Sequence, residues 1–321
     1  MPTFNLTRRS VLAGALASAA TSGRASAQTF EKVRVSIIPT NDVAPLFSAI
    51  HNGYFRELGL EVDTSPSTGG ATGIPALIAG SFDVAYGNVV STLLAVQQGL
   101  DLKVIAAGTK IIHVDTDTTA IIVGSESGIK NGKDLEGKSI AVNTRNNVIW
   151  LYSRAWIKKT GGDPDLVAYR EVPFPQMEDA LRQKRVDAAH VVAPFSVIAT
   201  AKPGLIAIAK AYSEVQPGAD VGQYATTGKF LAERPETVRK FAAGLRRGAE
   251  WFNANVKSED VLNIITGYTK VNVAVLKTID MAPAPLRCDL LQIKKTMDLM
   301  IENKLLNGPL DLTNIVSPVA L

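Results

Sequence analysis

One cysteine, Cys288, stands in 321 residues. The chain cannot form an internal disulfide, so its stability must come from packing. Aromatic residues make up 6%, too few to assume a stacking platform for sugars or nucleobases. No later run approaches the ~18 consecutive apolar residues of a membrane span. Histidine is scarce: His51, His113 and His190 are scattered, and His113-x-Asp115-x-Asp117 lacks a third strong metal ligand nearby, which makes it a polar loop. A nucleophile elbow (G-x-S-x-G) and both phosphate-binding glycine motifs are absent. These absences exclude the common catalytic constellations. They leave no expected catalytic residue, metal or cofactor.

What is present begins with an address. Thr7-Arg8-Arg9-Ser10-Val11-Leu12 places paired arginines before a short, alanine-rich apolar run, and Ala25-Ser26-Ala27 supplies a small-x-small cleavage site. Residues 1–27 are expected to be a twin-arginine signal peptide, with the mature chain starting at Gln28. The net charge of +4 then falls to +1 as Arg8, Arg9 and Arg24 leave, so the basic balance argues for no nucleic-acid partner. The mature protein is expected to be exported and soluble. Its 46% hydrophobic content suffices for two lobes of ordinary domain size.

The second signal is an internal echo. Ala76-Leu77-Ile78-Ala79-Gly80-Ser81-Phe82-Asp83-Val84-Ala85 returns, 104 positions later, as Ala180-Leu181-Arg182-Gln183-Lys184-Arg185-Val186-Asp187-Ala188-Ala189. Upstream of each copy the same succession runs: an apolar strand, a polar turn, a helical stretch, a glycine stop and another strand. Such a repeat predicts two similar α/β lobes with a ligand cleft between them. Strands are expected at 33–38, 60–64, 82–86 and 103–107, and lobe 2 runs from 139 to about 209. Residues 120–123 are read as the first crossing between lobes, and the loop-rich stretch 212–224 as carrying the second, with closure expected about 222–226. Three apolar stripes after Arg234 read as helices packed on lobe 1.

Ala49-Ile50-His51-Asn52-Gly53-Tyr54-Phe55-Arg56-Glu57-Leu58-Gly59-Leu60-Glu61-Val62 resembles the A-x-x-x-G-Y-F-x-x-x-G-L-x-V segment of substrate-binding proteins of the nitrate/sulfonate/taurine type. Those proteins serve ABC importers and are grouped with thiamine-pyrimidine binders and synthases. Ala76-Leu77 with Gly80 and Asp83, Gln98-Gly99 with Leu102-Lys103-Val104, Leu135-Glu136-Gly137-Lys138, and Val186-Asp187-Ala188 with Pro194-Phe195 follow in the family's order. The resemblance implies an α/β, type II periplasmic-binding-protein fold, two lobes joined by two crossover segments. Lobe 1 is then 28–119 with 225–321, and lobe 2 is 120–224. It further implies a periplasmic monomer that binds a small-molecule solute and meets an ABC-transporter permease in the inner membrane. Relatives often carry a glutamate before the Pro-Phe pair, where this chain has Ala193. The related fungal pyrimidine synthases carry a cysteine-rich motif that is missing here. An enzyme acting on a heterocycle and a sensor-coupled receptor are the alternatives.

Ligands of open α/β sheets sit beyond the carboxyl ends of strands, where helix N-termini present free N–H groups. That rule selects Asn41 and Asp42, which read equally as a helix cap, and Gly69-Gly70-Ala71-Thr72, which reads equally as an ordinary turn. It also selects Gly87-Asn88 and the turn Asn143-Thr144-Arg145-Asn146-Asn147. Pro194 and Phe195 complete the set, with Tyr224 at the end of the second crossing. The Gly70 and Ala71 amides, the Thr72 hydroxyl and the Arg145–Asn147 turn favour a sulfonate, carboxylate or similar anion.

Overall fold

The computed structural model describes residues 29–321, so the expected signal peptide lies outside the described residues. Four strands come first in the chain: β1 (Glu31–Ile37), β2 (Leu60–Pro66), β3 (Val84–Asn88) and β4 (Leu102–Lys110). In β1, β3 and β4 the buried residues form near-continuous runs, as in Val35-Ser36-Ile37 and Val104-Ile105-Ala106-Ala107. Sheets covered on both faces by helices read this way. β5 (Ala120–Gly124), β6 (Ser139–Val142), β7 (Ala168–Glu171), β8 (Ala188–Val191) and β9 (Leu205–Ala209) follow, and β10 (Asp220–Thr227) comes last. The first sheet has the order β2-β1-β3-β10-β4 and the second β7-β6-β8-β5-β9. Each sheet has parallel strands with a single antiparallel strand inserted beside its fourth. The inserted strand is in both cases the one that follows a crossing.

The repeated ten residues do the same work twice. In the first copy the helix Gly70–Ile78 ends as Gly80 N–H donates to Leu77 O and Ser81 N–H to Ala76 O. In the second, Lys184 N–H donates to Leu181 O and Arg185 N–H to Ala180 O. This paired closure needs a left-handed residue, and Gly80 (φ 75°) and Lys184 (φ 54°) supply it. The repeated aspartate then fastens two strands. Asp83 accepts from Arg34 N–H at 2.8 Å, and Asp187 accepts from Ser139 N–H at 2.8 Å. Duplication is therefore visible in hydrogen bonds as well as in letters.

The first crossing lies upstream of its expected place, and the second occupies only part of the stretch expected to carry it. Residues 120–123 form most of β5, buried and paired with β8 and β9, so the first passage is 111–119. Residues 220–224, expected in lobe 2, open β10 and pair with β3 and β4, so the return is 216–219. Gly222 made this strand read as a loop. It stands there for space, because a Cβ would meet the Tyr86 hydroxyl at 2.5 Å and Thr109 Oγ1 at 2.7 Å. The passages run side by side: Ile111 N–H donates to Ala219 O at 2.8 Å, and buried Asp117 accepts from Ser213 N–H at 2.9 Å. Asp117 also takes both donors of Thr119, which gives the polar loop a structural task.

The helices after Arg234 form as expected, Pro235–Asn255, Glu259–Thr269 and Leu290–Glu302. The last is not confined to lobe 1. Its Ile293, Met297 and Met300 join one buried cluster with Val89, Val90 and Leu93 of the first lobe and Leu151 and Tyr152 of the second. The Tyr152 hydroxyl donates to Gln216 Oε1 at 3.0 Å and lies 3.1 Å from Thr296 Oγ1. The lobes thus share apolar packing along one side. Among the described residues no helix is long and apolar enough to cross a membrane.

Candidate functional site

The carboxyl ends of the parallel strands meet between the two sheets. The turn after β1 carries Thr40 and Asp42, β3 ends in Tyr86, Gly87 and Asn88, and β4 brings Thr109. From the second sheet come Asn143 and Asn147 after β6, Val192 after β8, and Phe174 and Tyr212 from helix starts. Together with Thr118, Thr119 and Gly222 they wall a cavity of about 50 Å³. Both sheets and the first crossing contribute to it. A solute there would hold the two lobes at once.

Asp42 is its only carboxylate. The side chain is partly exposed, facing the cavity, and burial of the carboxylate pushes its pKa up to about 6. The hydroxyls of Thr40, Thr109 and Tyr86 oppose that rise by hydrogen bonding to the charged form. Thr40 Oγ1 donates to Asp42 Oδ2 at 3.2 Å, and Tyr86 and Thr109 are linked oxygen to oxygen at 2.8 Å. None of the residues lining the cavity is lysine, arginine or histidine. The described wall is therefore acidic, hydroxylic and amidic.

Its amides are already ordered. Asn147 caps the helix Val148–Lys159, accepting from Trp150 N–H at 3.0 Å. Its Nδ2 donates to Asn143 Oδ1 at 2.8 Å, and Asn143 Nδ2 donates to Thr68 O at 3.0 Å in the opposite lobe. Asn88 caps the helix Val89–Gln97 through its oxygen, accepting from Ser91 N–H at 2.9 Å, which leaves its NH2 group for a ligand.

Of the residues expected at the site, Asp42, Gly87, Asn88, Asn143 and Asn147 line this cavity. The others do different work. Gly69 meets the opposite lobe, where a Cβ would lie 3.0 Å from Asn143 Nδ2 and 3.2 Å from buried Thr144. A Cβ at Gly70 would lie 2.5 Å from Ser91. The Thr72 hydroxyl donates back to Gly69 O at 3.0 Å, closing its own turn, and the Ala71 backbone belongs to the helix start beside it. Arg145 and Asn146 are exposed, and Arg145 borders an outer groove with Trp150, Arg154 and Lys304 instead. It points outward because the residues either side of it are fixed from within: Asn143, Thr144 and Asn147 are buried, while Arg145 N–H donates to Glu171 at 2.6 Å. Pro194 and Phe195 are not on the wall, and Pro194 follows a cis peptide. Tyr224 is buried between the rings of Tyr86 and Phe241, its hydroxyl without a protein partner. Asn41 belongs to a neighbouring cavity.

Sequence reading missed Tyr86, Thr109, Thr118, Thr119 and Tyr212. Tyr86 carried a signal, a phenol at the carboxyl end of a buried strand directly before Gly87-Asn88. Tyr212 carried none. His190 is fully buried, with Nδ1 2.8 Å from Ser153 Oγ, and burial pulls its pKa down to about 4. It belongs to the core of lobe 2. No group of three His, Cys, Asp or Glu able to hold a metal occurs among the described residues.

A cavity walled by two α/β lobes that share two crossings defines a solute-binding protein of the periplasmic-binding-protein fold. Residues 40–259 match the NMT1/THI5-like family model, and the chain belongs to that family. A protein of Brucella abortus named as a binding protein is 27% identical over 234 residues, covering 72% of this chain and 69% of its own. A protein of Brachyspira hyodysenteriae named as an ABC transporter periplasmic binding protein is 26% identical over 58% of this chain and 56% of its own. Among solved structures, the alkanesulfonate-binding protein SsuA of Xanthomonas axonopodis pv. citri bound to MOPS superposes with a TM-score of 0.75. It is 17% identical, with 89% of this chain and 98% of that one covered. The periplasmic nitrate-binding protein NrtA of Synechocystis PCC 6803 gives 0.77 at 13% identity, with 89% and 86% covered. These likenesses fix the fold.

Proposed function

We propose that this protein captures a small organic solute in the cavity between its lobes and delivers it to an ABC importer, making and breaking no covalent bond. Family membership, the shared fold and the name of the Brachyspira relative support the transport role. We further propose that it works in the periplasm as a monomer, after export by the twin-arginine route. Sequencing the exported protein from its N-terminus should then begin at Gln28. Full-length chain retained in the cytoplasm of a secretion-competent host would overturn the export reading.

One observation carries the chemistry of the solute: the cavity holds the Asp42 carboxylate and no basic side chain. The expected anion depended on the Gly70 and Ala71 amides, the Thr72 hydroxyl and the Arg145–Asn147 turn, of which Asn147 alone lines this wall. An anion placed beside Asp42 would face like charge in a desolvated space. A protonated amine, an amidine or an amino-heterocycle would instead give Asp42 a charge-assisted hydrogen bond, typically about 1.5–3 kcal/mol. Tyr86, Tyr212 and Phe174 supply flat apolar walls for such a group. Calorimetry at pH 8 with benzamidine, 4-aminopyrimidine, ethanesulfonate and nitrate tests this. Heats are expected from the first two alone, and binding of ethanesulfonate or nitrate with no response to either nitrogen compound would overturn the charge reading.

A further inference from the structure

The cavity beside Asp42 has a neighbour. Asp42, Thr109, Ile111 and Thr118 line both, so the two spaces adjoin at residues they share. The second space is a cavity of about 40 Å³. Its wall differs in kind. Phe252 of the helix Pro235–Asn255 and the segment Met281-Ala282-Pro283-Ala284-Pro285 make it largely apolar. Lys110 reaches it, but its ammonium is committed to Asp289 at 2.7 Å.

One polar group on that wall lacks an internal role. Asn41 is 8% exposed, and neither its Oδ1 nor its Nδ2 has a protein partner. An amide left unpaired in such a place is destabilising. It therefore asks for a ligand group or an ordered water to complete it. Asn41 and Asp42 are consecutive in one 3-10 turn, Asn41–Val43. That turn serves both spaces.

We infer that the binding site continues past Asp42 into this second chamber, and that the solute is a two-part molecule. Its nitrogen-bearing head meets Asp42 between the lobes. Its apolar extension lies against Phe252 and Met281, with a hydrogen-bonding atom at the Asn41 amide. The inference rests on the proposed charge of the solute, and the experiment separates the two. Calorimetry compares benzamidine with 4-butoxybenzamidine, whose ether oxygen and alkyl chain reach beyond the ring, on the native protein and on Ala282→Phe and Asn41→Ala. The longer amidine should bind native protein at least tenfold more tightly than benzamidine. Ala282→Phe should remove that advantage while benzamidine affinity stays within about threefold of native, which also shows that the variant is folded. Asn41→Ala should lower the longer compound's affinity by threefold or more and leave benzamidine unaffected. Equal affinity of the two amidines for the native protein would overturn the second chamber while keeping the head at Asp42. No binding of either would overturn the charge reading and this inference with it.

Discussion

Asp42→Asn should weaken binding of a nitrogen-donor solute by about a hundredfold or more and, at pH 8, make the unliganded protein more stable. The two effects have one origin. Removing one partner of a buried, hydrogen-bonded charge pair costs about 2–5 kcal/mol, and each ~1.4 kcal/mol is tenfold in affinity. In the unliganded protein the same charge is a burden, because burial raises the pKa of Asp42 from 3.8 to about 6. The folded state holds that proton more tightly than the unfolded chain. Stability from this group therefore rises as pH falls from above 6 toward 4, by at most about 3 kcal/mol for a shift of about two units. Affinity runs the other way. Below pH 6 a proton competes with the solute, and binding should weaken toward tenfold per unit. Asp42→Asn should flatten both slopes.

The comparison must be a difference between native and variant, since other buried groups titrate nearby. Asp220, pushed up to about 7 by burial, also adds stability as pH falls. His190, pulled down to about 4, subtracts it, because below 6.5 the unfolded chain takes a proton that the folded core refuses. Urea titrations of both proteins at pH 5 and pH 8, with calorimetry at the same values, give the check. An unchanged affinity in Asp42→Asn would remove Asp42 from the site.

Most of the architecture was written in short-range pattern. The strands and helices of lobe 1 follow apolar periodicity and glycine stops, and the ten-residue echo marked two lobes because it encodes a helix closure and a strand-fastening aspartate. Periodicity could not place the crossings. A crossing differs from a strand only in its partners, and β5 and β10 find theirs across the chain. The residues expected at the site divide on the same ground. Asp42, Asn88, Asn143 and Asn147 follow strands directly, so topology alone puts them at the cavity. Arg145 and the Gly69–Thr72 turn also follow strands. Their directions depend on neighbours distant in sequence, with Asn143 and Thr144 filling the space against Gly69. Thr118 reaches the wall from the first passage and Tyr212 from the short helix Ala211–Val215 before the return, positions that no local rule gives.

The stop Gly161-Gly162, which read as a simple pause between helix and strand, should prove to be two different requirements. The helix Val148–Lys159 closes as Gly161 N–H donates to Lys158 O at 3.2 Å and Gly162 N–H to Ile157 O at 2.9 Å. Gly161 sits at φ 86° with nothing near its missing Cβ. Gly161→Ala therefore meets only the left-handed backbone cost, roughly 1–2 kcal/mol. Gly162 needs no left-handed angle, yet a Cβ there would overlap the carbonyl of Gly132, and a Cβ at Gly132 would overlap that of Ile157. Those are backbone atoms and cannot swing aside as a side chain would. Overpacking of this kind costs about 1–3 kcal/mol and more where the surroundings cannot yield. The Gly132 segment is also held in place, since its N–H donates to Thr160 Oγ1 at 2.8 Å. Gly162→Ala should thus lose at least 3 kcal/mol in urea unfolding, clearly more than Gly161→Ala. Gly161→Asn, which tolerates the left-handed region, should recover part of the loss seen with alanine, whereas Gly162→Asn should be as damaging as Gly162→Ala. A Gly162→Ala protein as stable as the native one would mean that the backbone contact between 132 and 162 is looser than the structure shows.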